Sequence, residues 1–93
     1  SDPAKVKELT AYNIDLIEKI NRHTSFIAEN VEAMVEKRKV VNKIEDVRTL
    51  AVAYHDEIVP YFDQIRYHID KLELIVEDEM WTLPKYRELL FIR

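Results

Sequence analysis

His23, His55 and His68 are the imidazoles of this chain, and a few carboxylates and Ser25 complete its reactive groups. Helical metal centres are built from Glu-x-x-His pairs on facing helices. Here the residues three before the histidines are Ile20, Val52 and Ile65, and no two histidines lie three or four apart. No metal site is expected. Ser25 falls inside a helical segment with no strained turn to expose a nucleophile, and the chain has no cysteine, so no catalytic residue is expected either. Asp56, Asp63, Asp70 and Glu77 recur every seven residues, an acidic stripe along one side of a helix. Arg66 stands three after Asp63 and four before Asp70, placed to bridge both. Such a stripe could face a basic partner, but a solvated helix face explains it with fewer assumptions.

His55-Asp56-Glu57-Ile58-Val59-Pro60 offers a different chemistry. An exposed imidazole whose tautomer is fixed by a neighbouring carboxylate can accept a phosphoryl group. The segment resembles the phosphoacceptor box of sensor histidine kinases, where a histidine on a helical hairpin is followed by an acidic residue and, five positions on, a kinking proline. Val59 stands where that box carries a polar residue, and here the box lies on the second helix. A surface histidine beside core Tyr54 is the structural alternative.

These groups are carried by a chain of 93 residues without a single glycine. That excludes the phosphate-cradling loops and the nucleophile elbow, which need backbone at positive φ or close approach to a ligand. Tight Asn-Gly and Asp-Gly hairpins are equally absent, so a β-rich fold is disfavoured. The absence of cysteine rules out a disulfide framework and is compatible with a reducing compartment. With 47% hydrophobic and 34% charged residues, the composition suits one helix-rich globular domain. The net charge is -4, with 6 basic against 11 acidic groups in residues 44–93, which disfavours nucleic acid as a partner. No apolar run reaches the ~18 residues of a membrane span, and no leader pattern opens the sequence, so a membrane is not an expected partner.

The apolar pattern predicts two long helices. Val6, Leu9, Leu16, Ile17, Ile20, Ile27, Val31, Met34 and Val35 form one stripe, with Asn13 and Thr24 filling its gaps. Asp2 and Pro3 supply an N-cap and a first-turn proline. Lys37, Arg38 and Lys39 oppose the dipole at the far end, and Asn42 is the residue most able to act as a left-handed C-cap. The helix is expected over about 3–39, with a turn at about 39–44. Val47, Leu50, Ala51, Tyr54, Ile58, Phe62, Ile65, Ile69, Leu72 and Val76 then run in phase through Pro60, predicting a second helix over about 45–80, kinked at that proline. Acidic Glu77, Asp78 and Glu79 and then Pro84 are read as its stop. The tail, 81–93, is expected to pack back as an extended segment or short helix. The fold class is therefore all-α, a single antiparallel helical hairpin with a bundle-like third element.

The second half of the chain carries a more specific pattern. Ile65-Arg66-Tyr67-His68-Ile69-Asp70-Lys71-Leu72-Glu73, followed by Trp81-Thr82-Leu83-Pro84-Lys85-Tyr86-Arg87-Glu88-Leu89-Leu90-Phe91, is similar to the C-terminal end of type III glutamine synthetases. There an Asp-Lys-Leu-Glu helix runs into a Trp-Pro-x-Pro-x-Tyr-x-x-Leu-Leu-Phe ending; Thr82 replaces the first proline. The resemblance implies a cytoplasmic ligase that uses ATP and magnesium to join ammonia to glutamate and assembles as a large homo-oligomer. It implies further that this chain is a fragment of such an enzyme, with the nucleotide, metal and glutamate ligands upstream. The partners implied are the rest of the parent polypeptide and neighbouring subunits.

The expected role is a non-catalytic helical domain that serves packing and assembly, holding no cofactor of its own. Trp81, Leu83, Pro84, Tyr86, Leu89, Leu90 and Phe91 are the candidates for docking, onto the hairpin or onto the parent enzyme. The alternatives are a free-standing dimerising hairpin with His55 as phosphoacceptor, and a helical adaptor module.

Overall fold

The structure is a computed structural model that describes the backbone of residues 2–91 and the side chains of residues 2–82 and 88. The first arm is one helix, α1, Pro3–Val41. It starts where the sequence marks it: Asp2 has extended backbone and its carboxylate accepts the Ala4 N–H at 2.9 Å, with Pro3 in the first turn. At the other end Asn42 closes the helix without the left-handed conformation expected of it, at φ -64° and ψ -12°. The chain leaves instead through tightened turns in which the Lys43 N–H donates to Val40 O and the Ile44 N–H to Val41 O. These bonds satisfy the last carbonyls without a positive φ, which no described residue adopts.

The second arm opens as α2, Val47–Ala53, capped by Asp46, whose carboxylate accepts from both the backbone N–H and the hydroxyl of Thr49. A π-helical turn, Tyr54–Ile58, follows directly, and α3, Val59–Phe91, continues from it. The arm is continuous through Pro60, as its apolar phase requires. What marks the proline in the structure is the wider turn before it, closed by the Val59 N–H donating to Tyr54 O. Proline cannot donate to the carbonyl four residues back and its ring crowds that carbonyl; a π turn relieves the conflict by adding a residue to the turn.

The second arm does not stop near Met80, and residues 81–91 do not fold back as a tail: α3 runs on through Trp81 to Phe91. The stop signals were acidic residues and a proline, each costly in a helix. Neither supplies the left-handed cap on which a chain can turn away, and no glycine or asparagine lies between Glu77 and Phe91. The Thr82 hydroxyl meanwhile donates back to Asp78 O at 2.7 Å, holding the local turn.

The two arms form an antiparallel hairpin of 70 × 18 × 13 Å, a single layer two helices wide. Its radius of gyration, 20.8 Å, compares with about 12 Å for a compact chain of this length. The buried core among the described residues is Met34, Val41 and Ile58, with Ile44, Leu50, Ala53, Tyr54, Tyr61 and Ile65 packed around it. All of these lie at the turn end. The Tyr54 hydroxyl also donates to the Asn42 side chain, tying the second arm to the cap of the first.

Candidate docking surface

Three cross-arm polar contacts set the register of the hairpin. Tyr12 donates to Glu79 at 3.2 Å, His23 meets His68 nitrogen to nitrogen at 2.9 Å, and Lys37 pairs with Glu57 at 3.4 Å. At 100° per residue these groups fall on the same flank of each arm, so they seal one side of the seam. His68 is held further by Phe26, whose ring centroid lies 4.1 Å away, and by Tyr67 edge-on at 5.1 Å. In the histidine pair both nitrogens are Nδ1, so one ring must donate and the other accept.

The other side of the seam is built differently. On α1 the positions one step round from the seam are Val6, Asn13, Ile17, Thr24, Val31 and Val35; on α3 they are Phe62, Ile69, Val76 and Met80. For antiparallel neighbours these flanks face the same way, opposite to the three polar contacts. None of the ten is charged, and every one is exposed; Phe62 is 53% and Met80 68% accessible. Ile69, Leu72, Val76 and Met80, together with Glu73 and Glu77, line a shallow groove there. All of these but Met80 belong to the two stripes, with Asn13 and Thr24 as their gap positions, from which the sequence predicts the helices and their packing. The hairpin buries only the centre of each stripe, because a single partner helix covers a narrower arc than a bundle does.

Trp81 is 78% exposed and does not dock onto the hairpin. The side chains of Leu83, Pro84, Tyr86, Leu89, Leu90 and Phe91 lie outside the described residues. His55 is on the π turn, with its side chain 82% exposed and Nδ1 3.0 Å from Asp56 Oδ1, so the expected imidazole and carboxylate do meet. None of the ion pairs among the described residues joins Arg66 to Asp63 or Asp70; on the first arm Lys19 does reach Asp15 at 3.2 Å. Thr49 holds the Asp46 carboxyl below its ordinary pKa, first through its hydroxyl and then through its backbone N–H. Neither this cap nor the His23–His68 pair was anticipated. The pair could be found only by writing the arms antiparallel and aligning positions that sum to about 91–94, as the three contacts do.

Comparison with known proteins supplies the wider setting. The chain is 45% identical over 85 residues to a glutamine synthetase of Bacteroides fragilis, a match covering 91% of this chain and 12% of that protein. It is 33% identical over 78 residues to a type-3 glutamine synthetase of Dictyostelium discoideum, covering 76% of this chain and 11% of that one. The chain thus spans about a tenth of the length of these relatives. No family model and no solved structure matches it. Among the described residues no group of three or more His, Asp or Glu side chains could hold a metal ion. The chain has no glycine to bring backbone N–H groups against a phosphate. No helix among them is long and apolar enough to cross a membrane.

Proposed function

The chain belongs to the glutamine synthetases, matching one of them over nine-tenths of its length and a type-3 member over three-quarters, and from that premise we propose that it is the C-terminal helical region of the type III enzymes, a non-catalytic part serving packing and oligomer assembly. The observation that carries the proposal is the mismatch of coverage: 91% of this chain matches, yet only 12% of the relative is needed to match it. The chemistry, ATP-dependent ligation of ammonia to glutamate in the cytoplasm, belongs on this reading to the remaining polypeptide, which would hold the nucleotide and magnesium. The exposed apolar side of the hairpin supports the assembly role, since a face of this kind is a place for another surface to rest.

The test is glutamine formation by the 93-residue chain alone, supplied with ATP, magnesium, glutamate and ammonia. No turnover above a buffer control is expected, and turnover that survives repurification would refute the non-catalytic role. Assembly is tested separately, by deleting this segment from the parent enzyme and weighing what remains. A fall in oligomeric mass is expected; an unchanged mass removes the assembly role.

One observation favours a second reading, a signalling hairpin with His55 as phosphoacceptor. The imidazole is exposed and its Nδ1 is engaged by Asp56, the arrangement that leaves Nε2 for an incoming phosphoryl group. Exposure to a low-molecular-weight phosphodonor should leave the chain unlabelled. An acid-labile label that His55→Ala abolishes would reverse the ranking.

A further inference from the structure

We infer that the predominantly apolar side of the hairpin is covered by a second copy of this chain, two hairpins closing face to face into a four-helix bundle. The inference deepens the assembly role proposed above by naming the partner of that surface. It starts from area. The chain exposes 7689 Å², where a compact monomer of its mass exposes about 5,600 Å², so about 2,000 Å² has no counterpart within the molecule.

The shape of that surface matches what a stable dimer needs. From Val6 to Val35 the α1 flank runs about 44 Å at 1.5 Å per residue. Across the 18 Å width of the hairpin this gives about 800 Å² per copy, the standard size for a specific protein interface. A smaller or broken patch would not suffice.

The chemistry of the face suits an identical partner. Its α1 flank carries no charge, and the carboxylates that line its groove, Glu73 and Glu77, are confined to α3, so α1 of one copy can meet α1 of the other without like-charge repulsion despite a net charge of -4 on each. Its two polar members, Asn13 and Thr24, each carry a group that both donates and accepts, and so can be satisfied by a hydrogen-bonding side chain of another copy. A lone asparagine in an apolar helical seam is a known device for fixing register and limiting the number of strands. Of the acidic stripe, Asp56, Asp63 and Asp70 lie round the back of the second arm and stay in water, while Glu77 lines the groove. The seam side sealed by Tyr12–Glu79, His23–His68 and Lys37–Glu57 is likewise left outside the contact.

Sedimentation of the 93-residue chain tests this directly. A mass twice the 11.1 kDa of one chain is expected at tens of micromolar. A monomer at that concentration overturns the inference, while the assembly role stays subject to the deletion test above. Because the chain has no cysteine, single Thr24→Cys and Leu74→Cys variants report which side is covered. In the dimer the thiol at position 24 should react with a hydrophilic reagent at least tenfold more slowly than that at position 74 on the back of α3. Equal rates in a dimeric sample place the contact elsewhere and overturn the inference. Ile69→Glu should give a monomer that keeps its helical circular dichroism; a dimer that survives it also contradicts the proposed face.

Discussion

His23 and His68 show how much one contact depends on its partner. Each ring is half-buried, and their shared hydrogen bond spans the middle of the hairpin at 2.9 Å. Replacing either histidine by leucine leaves the other nitrogen without its partner, and each single change should cost about 1 kcal/mol. Replacing both removes the polar requirement and extends the apolar seam, so the double variant should be close to wild type or more stable. Chemical denaturation of the four proteins checks this non-additivity. Asp46 is a simpler case. Its carboxyl titrates lower in the folded chain than the ordinary 3.8 because Thr49 donates to it twice. A lowered folded pKa means that the stabilisation is fully present above the unfolded value and is lost as pH falls through the folded one. As pH falls from above the ordinary value through the lower folded one, the wild type should therefore lose thermal stability that Asp46→Asn, a cap that does not titrate, retains.

At the scale of elements, the π turn and Pro60 form one device. Pro60→Ala restores an N–H and removes the ring from the carbonyl of Asp56, and should stabilise the second arm by roughly 1–3 kcal/mol, read as a raised melting midpoint. A lowered midpoint would mean that the proline sets the register on which Ile58 depends. Both arms could be read from the sequence, because a stripe of period 3.6 sustained over thirty residues has no other reading. The N-cap at Asp2 was equally legible, since Asp followed by Pro satisfies two local requirements at once. The end of the second arm was not. Glu77, Asp78, Glu79 and Pro84 are local penalties, and a helix ends only where something also satisfies its last carbonyls. Nor did the stripes say how wide an arc the partner helix would cover. For that reason Phe62, Ile69 and Val76 stand in the stripe that predicts the second helix and its packing, and docking was assigned to the tail alone.

Across the whole molecule stability is concentrated at one end. Ile58 is fully buried against Met34 and Val41 beside the turn, so Ile58→Ala should cost about 2–5 kcal/mol and unfold most of a hairpin with so small a core. The far end, near Val6 and Met80, holds no buried side chain among the described residues. Amide protection should accordingly decline from the turn toward that end unless a partner covers the face. That dependence is the physical content of an assembly role, and it is tested most directly in the parent synthetase. The measurement is the oligomeric mass of that enzyme with Phe62→Glu and Ile69→Glu, two charges placed among the apolar residues of that face. The assembly account predicts dissociation to smaller species in which this segment stays helical. An oligomer of unchanged mass and unchanged thermal stability would contradict it.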